Sequence, residues 1–278
     1  MPIMLTDEQK NQFDRDGYLL LPNLLSDDER QALIDRAYGI IEEADLEQTS
    51  RFSTTDRAQI NNDYFLGSAE AVRCFFEEGA FNDQGVLQQP RAQSINKIGH
   101  ALHDLEPVFT RFARRPDFGD LARDLGHAQP ALYQTMVIFK QPRIGGEVTW
   151  HQDATFFHTD PTSVITYWFA LEDATLENGC LWVEPGGHRG PLRERYFHEQ
   201  GDLRMEPLDD TSWPTDAGTP MPVKAGSLLV FHGHLPHYSA SNRSDRSRLA
   251  LTFHVVDAAC EYAKENWLQR PNLGVFNM

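Results

Sequence analysis

The sequence is short of three features that would each point to a specialised class of protein. Its 278 residues include only three cysteines, which are far apart and form no CxxC pair, so a disulfide-stapled or cysteine-rich zinc protein is not expected. No run of 18 apolar residues occurs, so no membrane-spanning helix is predicted. The start of the chain, MPIMLTDEQKNQF, lacks the basic and apolar regions of a secretory signal. Together these absences predict a protein of a reducing, cytoplasmic compartment.

Positive charge is also scarce. Lysine and arginine number 25 against 41 aspartates and glutamates, which gives a formal charge of −16. A surface this acidic argues against binding to nucleic acid or to an anionic membrane. The apolar content of 40% and the charged content of 24% are ordinary for a globular protein. The length is enough for one large domain with a full core.

The first part of the chain, 1–130, is predicted to be mostly helical. Two capping-box patterns mark helix starts, with a hydroxyl residue three positions before a glutamine or glutamate: Thr6 with Gln9, and Ser26 with Glu29. Gly17 is a natural end for the first helix. After a polar loop at 47–63, apolar residues at helical spacing predict further helices at 68–81 and 95–126.

From residue 131 the character of the sequence changes. Short segments rich in β-branched and aromatic residues follow one another between turn signals: ALYQTMVIFKQP, EVTWHQDATFF, SVITYWFALED, CLWVEPGG, GSLLVFHGHL and SRLALTFHVVD. Asn178-Gly179 lies between two of them and predicts a hairpin. This spacing predicts a sandwich or barrel over 131–258. The irregular stretch at 185–225 is interpreted as a long substrate-shaping loop, and the whole of 1–278 as a single domain with helices against a β-barrel-like core.

The segment EVTWHQDATFF contains a histidine and an aspartate two residues apart. In a strand, residues i and i+2 point to the same face, so His151 and Asp153 are expected side by side, with Gln152 pointing away. Two chemistries use such a pair. One is a proton relay between an imidazole and a carboxylate, and the other is a metal site that needs one more ligand.

Three histidines at the end of a later apolar strand could supply that ligand. His232, His234 and His237 all lie in LLVFHGHLPHYS. One further imidazole would complete a set of two histidines and one carboxylate, which leaves three positions open on Fe(II). A 2-oxo acid can fill two of these positions, and dioxygen can fill the third. A single histidine is more often a packing residue than a ligand, and the pattern alone does not choose among the three.

An oxo acid of this kind also needs a cation for its distal carboxylate, and arginine is the best fitted to that task. In SRLALTFHVV the side chains alternate, so that Arg248 shares a face with Ala250, Thr252 and His254. Arg248 thus begins a strand with a small and polar face, as expected for the wall of a binding site. The alternative is an arginine in a surface salt bridge. Arg243, in the turn-like SNRSD, fits the role less well.

The ordered set of motifs resembles the phytanoyl-CoA dioxygenase family along nearly the whole chain. An HxD pair is followed far downstream by a histidine and, eleven residues later, by an arginine. The segments that carry the resemblance are FDRDGYLLLPNLLSDDE, SINKIGHALH, IFKQPRIGGEV, HQDATF, EDATLENGCLW, ENGCLWVEPGGH, SDRSR, TFH and ENWLQ. An isolated HxD is a weak signal, whereas this order of motifs is a strong one.

The resemblance implies an Fe(II)- and 2-oxoglutarate-dependent oxygenase on a mainly β fold with helices. That fold has a double-stranded β-helix core, of the jelly-roll or cupin type, with helices of the N-terminal half packed against it. The implied site consists of three iron ligands, two residues that hold 2-oxoglutarate and three that line its pocket, in that order: His151, Asp153 and His237; Arg248 and Ser239; Lys97, Met136 and Trp168. Gly187 departs from the family pattern, which usually has serine there.

The expected activity is hydroxylation of a C–H bond in a small molecule, with 2-oxoglutarate and dioxygen as cosubstrates. Within the superfamily that the resemblance indicates, halogenases have a small residue at the carboxylate position, so Asp153 favours hydroxylation. Two alternatives use the same ligands. A zinc hydrolase needs two histidines, a carboxylate and a metal-bound water, but it leaves Arg248 without a task. A non-catalytic module that binds metal or an oxo acid is the other.

Overall fold

The computed structural model describes residues 4–45, 50–52, 63–199, 202–215 and 217–278. The α-helices are α1 Asp7–Asp16, α2 Asp27–Glu43, α3 Asp63–Leu66, α4 Leu102–Leu105, α5 Pro107–Ala113 and α6 Pro116–Asp124. The strands are β1 Tyr18–Leu21, β2 Ser50–Phe52, β3 Val72–Glu77, β4 Ile95–His100, β5 Pro130–Lys140, β6 Val148–His151, β7 Thr159–Asp160, β8 Ile165–Ala170, β9 Leu181–Val183, β10 Glu194–Glu199, β11 Asp202–Pro207, β12 Thr219–Met221, β13 Leu228–His232, β14 His237–Ser239, β15 Arg248–Asp257, β16 Glu261–Tyr262 and β17 Phe276–Asn277.

Two sheets form the centre of the molecule. The larger sheet has the order β1-β13-β8-β15-β5-β4-β3-β2, with β17 beside β5, and the smaller has the order β12-β9-β14-β6. Their facing sides share one apolar cluster, in which Trp168 and Ala250 of the larger sheet meet Leu181 and Val183 of the smaller. The prediction of a mainly β protein with a jelly-roll core and packed helices is confirmed.

The other side of the larger sheet is covered by helices. Leu249 and Leu251 of β15 belong to the same buried cluster as Leu33, Ala37 and Ile41 of α2. Side chains therefore alternate along β15 between the helical layer and the space between the sheets, as predicted. None of the described helices is both long and apolar enough to cross a membrane.

The predicted helix ends are found where the sequence puts them. The Thr6 side chain accepts a hydrogen bond from the backbone N–H of Gln9, and the Gln9 side chain accepts one from the Thr6 N–H. Ser26 and Glu29 make the same reciprocal pair at the start of α2. Gly17 ends α1 with a φ of 80°, in the left-handed region that glycine adopts without steric cost.

Two predicted helices are wrong in whole or in part. The helix expected at 68–81 is replaced by β3, and the first six residues of 95–126 form β4, so 1–130 is less helical than predicted. β3 pairs with β4, and β4 pairs with β5. Hydrogen bonds to neighbouring strands and burial of aromatic side chains stabilise VRCFFE as a strand, and this long-range pairing overrides its local helical spacing.

The stretch 185–225 is more ordered than predicted. It contains β12 and the antiparallel pair of strands β10 and β11, so its interpretation as an irregular loop is wrong. Most of the polar loop expected at 47–63 lies outside the described residues. Of the parts that are described, 50–52 forms β2 and Asp63 begins α3.

Asn178-Gly179 connects two sheets and does not form the predicted hairpin. β8 before it lies in the larger sheet, and β9 after it lies in the smaller. The Asn178 side chain accepts a hydrogen bond from the Thr175 N–H and donates to the carbonyl of Asp173, and Gly179 has a φ of 86°. A turn signal therefore marked a real turn, but the strands beside it pair with other partners.

Candidate metal centre

Strand pairing in the smaller sheet places two histidines beside each other. His151 ends β6, His237 begins β14, and the two are register partners. Asp153 begins a short 3-10 turn, Asp153–Thr155, directly after the strand. The prediction that His151 and Asp153 lie together is confirmed, although a turn and not a continuous strand brings them together.

The three side chains converge closely. Oδ1 of Asp153 lies 3.6 Å from Nε2 of His151 and 3.8 Å from Nε2 of His237. The two imidazole centroids are 4.1 Å apart. One candidate ligand atom from each residue lies within 4.8 Å of the others, and this is the only such group of three in the part of the chain that the structure describes.

Backbone carbonyls orient both imidazoles. Nδ1 of His151 lies 2.8 Å from the Thr149 carbonyl, and Nδ1 of His237 lies 3.0 Å from the Leu235 carbonyl. Because a carbonyl only accepts hydrogen bonds, Nδ1 of each ring carries the proton. Nε2 of each ring then faces Asp153, which is the arrangement that metal-binding histidines require.

The charge states suit a metal as well. Burial, and then the neighbouring His237, lower the pKa of His151 to about 4. Burial alone would raise the pKa of Asp153, but the histidines around it hold that pKa well below its usual value. At neutral pH the site therefore contains a neutral His151 and an ionised carboxylate, which are the ligand forms of both groups.

His232 and His234 lie outside this cluster. The His232 ring packs 6.5 Å from the ring of Phe13, and its Nδ1 accepts a hydrogen bond from the His234 N–H. Nε2 of His234 lies 3.4 Å from the Thr162 hydroxyl. Both side chains thus have packing and hydrogen-bonding roles, and of the three histidines that the sequence left open His237 is the one that reaches Asp153.

Arg248 is buried at the start of β15, with 1% of its surface exposed. Its Nε and Nη1 are buried and make no hydrogen bond within the described structure. Burial lowers its pKa to about 10, so it is still charged at neutral pH. A surface salt bridge is therefore excluded for Arg248, whereas Arg243 and Arg246 in the preceding turn are exposed.

Lys97 and Met136 line a cavity that reaches two of the three converging residues. The cavity has a volume of about 270 Å³, and its wall includes His151 and Asp153. The Lys97 Nζ lies 5.5 Å from the Phe65 ring centroid, and burial lowers the pKa of this lysine to about 7.

Trp168 lies beside the arginine. The Arg248 guanidinium lies 5.4 Å from the Trp168 ring centroid. Both Trp168 and Arg248 face the gap between the sheets, and Thr252 pairs with Met136 on one side and with Trp168 on the other. Ser239 is buried in β14, two residues after His237.

Gly187 lies in a 3-10 turn, Gly187–Arg189, that contacts the first helix. Nε2 of His188 and Nη2 of Arg189 both reach the Asp14 carbonyl. A side chain at Gly187 would place its Cβ 2.7 Å from the Glu184 carboxylate. Glycine thus fits the space beside Glu184.

One residue of this region was missed by the sequence analysis. Lys140 ends β5 as the register partner of Arg248, and its Nζ donates to the carbonyls of Gly146, Ser239 and Ala240. Gly146 lies just before β6, and Ser239 ends β14, so Lys140 ties together the two strands that carry the histidines. Nothing in the segment IFKQP indicates that role.

The residues present fit Fe(II) and a 2-oxo acid. Two imidazoles and one carboxylate form the donor set of a facial triad. Arg248 offers two unpartnered donors of a buried guanidinium, and such groups strongly favour a carboxylate partner.

Known proteins share both the sequence and the fold. The chain is 46% identical over 267 residues to phytanoyl-CoA dioxygenase 1 of Oryza sativa subsp. japonica, which covers 96% of this chain and 94% of that protein. It is 44% identical over 280 residues to phytanoyl-CoA dioxygenase domain-containing protein 1 of Bos taurus, with 95% of each covered. The crystal structure of EctD from S. alaskensis with 2-oxoglutarate and 5-hydroxyectoine superposes with a TM-score of 0.63 at 20% identity, covering 96% of this chain and 81% of that one. The family model for phytanoyl-CoA dioxygenase matches residues 13–250, and the chain belongs to this family.

Proposed function

We propose that this protein is an Fe(II)- and 2-oxoglutarate-dependent dioxygenase that hydroxylates a C–H bond of a small molecule. The observation that carries the proposal is the buried guanidinium of Arg248, whose Nε and Nη1 have no hydrogen-bond partner among the residues that the structure describes. An unpaired buried charge is costly, and an anionic cosubstrate held beside the triad would offset that cost. A zinc hydrolase with the same three ligands would leave Arg248 unexplained.

Each residue has a defined part in this proposal. His151, Asp153 and His237 would hold the iron, with Nε2, Oδ1 and Nε2 as the atoms that converge. Arg248, assisted by Ser239, binds the distal carboxylate of 2-oxoglutarate, while three residues line its pocket: Lys97, Met136 and Trp168. When bound, iron with 2-oxoglutarate and dioxygen supplies the oxidation of the C–H bond, and the oxo acid leaves as succinate and CO2.

The protein itself orients the reactants and excludes water. Large aromatic side chains form much of the cavity wall, among them Phe65, Trp150, Phe156, Tyr196 and Trp267. Tyr196 comes from the β10–β11 pair of strands, which we infer to be the substrate-side wall of the site. The apolar lining fits a small molecule with an apolar body. Solved structures of this fold include one titled as an epimerase, SnoN, in complex with Fe3+, alpha ketoglutarate and nogalamycin RO.

The proposal extends to the organisation and location of the protein. A single domain accounts for the site, because the larger sheet supplies Arg248 and the smaller sheet supplies the histidines. A cytoplasmic location rests on the cysteine usage of the sequence, and Cys74, Cys180 and Cys260 are all free thiols. A carboxylate at Asp153 supports hydroxylation over halogenation, since it occupies the position that a halide would need.

Cosubstrate turnover tests the proposal directly. Protein prepared without oxygen is loaded with Fe(II) and 2-oxoglutarate, exposed to air, and assayed for succinate. We expect slow succinate release without a substrate and faster release with an oxidisable small molecule. Zn(II)-loaded protein is the matched control and should release none. Hydrolysis by the zinc form, together with no succinate from the iron form, would replace the oxygenase proposal with a hydrolase.

A further inference from the structure

Asp153 has two carboxylate oxygens with different surroundings. Oδ1 faces His151 and His237, whereas Oδ2 faces the larger sheet. Oγ1 of Thr166 lies 2.5 Å from Oδ2, and Nε2 of His254 lies 3.5 Å from the same oxygen. Asp153, Thr166 and His254 are each at most 5% exposed, and burial strengthens polar contacts of this kind.

The two neighbours of Oδ2 come from adjacent strands. Thr166 lies in β8 and His254 lies in β15, where they are register partners. The His254 ring stacks on Phe157, with centroids 4.7 Å apart and planes 19° apart, and this contact restricts its rotation. Two side chains of the larger sheet thus contact Asp153, which directly follows a strand of the smaller sheet.

The chemistry of these contacts has one favourable arrangement. An ionised carboxylate only accepts hydrogen bonds, so the Thr166 hydroxyl donates to Oδ2. Nδ1 of His151 and of His237 is held as a donor by a carbonyl, whereas Nδ1 of His254 has no hydrogen-bond partner among the described residues. The favourable tautomer of His254 therefore has its proton on Nε2, the nitrogen that faces Oδ2. Two donors on Oδ2 leave Oδ1 as the oxygen with free lone pairs in the direction of the histidines.

We propose that Thr166 and His254 are positioning residues that act through Asp153 and keep this carboxylate a monodentate ligand of the metal, through Oδ1. The two contacts that Thr166 and His254 make to Oδ2 are called the clamp. The inference rests on the proposed function, because it concerns the geometry of the bound ion. A carboxylate that bound through both oxygens would take a further coordination position. The clamp on Oδ2 keeps that position open, and a bidentate oxo acid and dioxygen together need three positions.

The test uses variants that remove one donor at a time. Thr166→Val removes the hydroxyl at constant size, and Thr166→Ser retains it. His254→Gln can keep an N–H where Nε2 lies, whereas His254→Asn is too short to reach Oδ2. Thr135→Val is the matched control, since the Thr135 hydroxyl is also buried and also contacts a histidine, His103, at 3.0 Å.

Binding of Co(II) to the full chain provides a readout that needs no turnover. Loss of an outer partner of a metal ligand typically weakens metal binding by about 10- to 100-fold. We expect a loss in that range for Thr166→Val and His254→Asn, with a changed visible absorption spectrum of the Co(II) protein. Thr166→Ser, His254→Gln and Thr135→Val should stay close to the wild type in both measurements.

The outcomes separate this inference from the proposed function. If Thr166→Val and His254→Asn bind Co(II) with the affinity and spectrum of Thr135→Val, the clamp does not exist. If His254→Asn and His254→Gln lose affinity equally, His254 acts through packing and its part in the inference is overturned. Wild-type protein that binds Co(II) but never releases succinate with Fe(II) would instead contradict the proposed function. A folded state is verified by thermal melting, and the His254 pair decides the matter if Thr166→Val does not fold.

Discussion

Arg248 and Lys140 are register partners on the neighbouring strands β15 and β5, and each residue is at most 2% exposed. Three carbonyls accept hydrogen bonds from the Lys140 Nζ, whereas Nε and Nη1 of Arg248 have no such partner in the described part of the chain. The lysine is therefore a structural tie, and the arginine is the cation that remains available for a ligand.

Replacement of Arg248 should weaken binding of 2-oxoglutarate specifically. Truncating one partner of a buried charged hydrogen-bonded pair costs about 2–5 kcal/mol, which corresponds to at least about 30-fold at 1.4 kcal/mol per decade. Arg248→Gln should raise the half-saturating concentration of 2-oxoglutarate by that amount or more, with bound iron nearly unchanged. Arg248→Lys should be intermediate, because lysine keeps the charge but loses the planar fork.

The exposed arginines of the preceding turn are the controls for this experiment. Arg243→Gln and Arg246→Gln should leave the titration of succinate release against 2-oxoglutarate close to wild type. A large shift for Arg246→Gln without one for Arg248→Gln would identify Arg246 as the anchor.

Loss of a metal ligand should abolish iron binding without loss of the fold. His151→Ala, Asp153→Ala and His237→Ala each remove one of three converging donors, so anaerobically loaded protein should retain little iron. His234→Ala is the matched control, because its side chain lies near the same turn but contacts Thr162. Iron content per folded chain is the measurement. Equal losses in His234→Ala and His237→Ala would reopen the choice of histidine.

The features that the sequence predicted correctly depend on local patterns. Alternation in SRLALTFHVVD put Arg248 and His254 on one face, because side chains in a strand alternate whatever the neighbouring strand is. The capping boxes at Thr6 and Ser26 are equally local. The pairing of β3 with β4 could not be predicted in this way, because it depends on which segments meet in space.

The same distinction applies to the site. His151 and Asp153 are two residues apart in the chain, so their spacing predicted their proximity. Lys140 contacts the carbonyls of residues 99 and 100 positions away, and no spacing rule connects residues so far apart. The sequence could not predict the clamp on Asp153 either, because Thr166 and His254 contact its carboxylate from the opposite sheet.

The buried Lys97 should give the stability of the protein a measurable dependence on pH. Burial lowers its pKa to about 7 from an ordinary 10.5, so between these values the unfolded chain binds more protons than the native protein. Stability due to this group therefore rises with pH across that window. Lys97→Met removes this dependence on pH. The free energy of unfolding of the variant should therefore exceed that of the wild type, and this excess should be larger at pH 7 than at pH 10.

Urea unfolding at the two pH values checks this sign. Each unit of pKa shift corresponds to about 1.4 kcal/mol, so the change in the difference between the two proteins should be a few kcal/mol at most. Lys224→Met, at an exposed lysine, should show no such change. A difference that is the same at pH 7 and pH 10 would mean that Lys97 keeps its charge throughout the window.

A methyl group at Gly179 should disturb both the fold and the site. Its φ of 86° is in the left-handed region, and an added Cβ would lie 2.5 Å from the Ala240 carbonyl oxygen and 2.7 Å from Cδ of Lys140. The left-handed conformation alone costs a residue with a side chain about 1–2 kcal/mol, and the collision adds to that cost.

Gly126→Ala isolates the first effect, because Gly126 has a φ of 103° but no atom within 4 Å of the added Cβ. We expect a clearly lower melting temperature for Gly179→Ala than for Gly126→Ala, together with weaker Co(II) binding in Gly179→Ala alone, since Lys140 and Ala240 support the strand that carries His237. Equal melting temperatures and equal Co(II) affinities in the two variants would show that the contact between Gly179 and Lys140 does not support the metal centre.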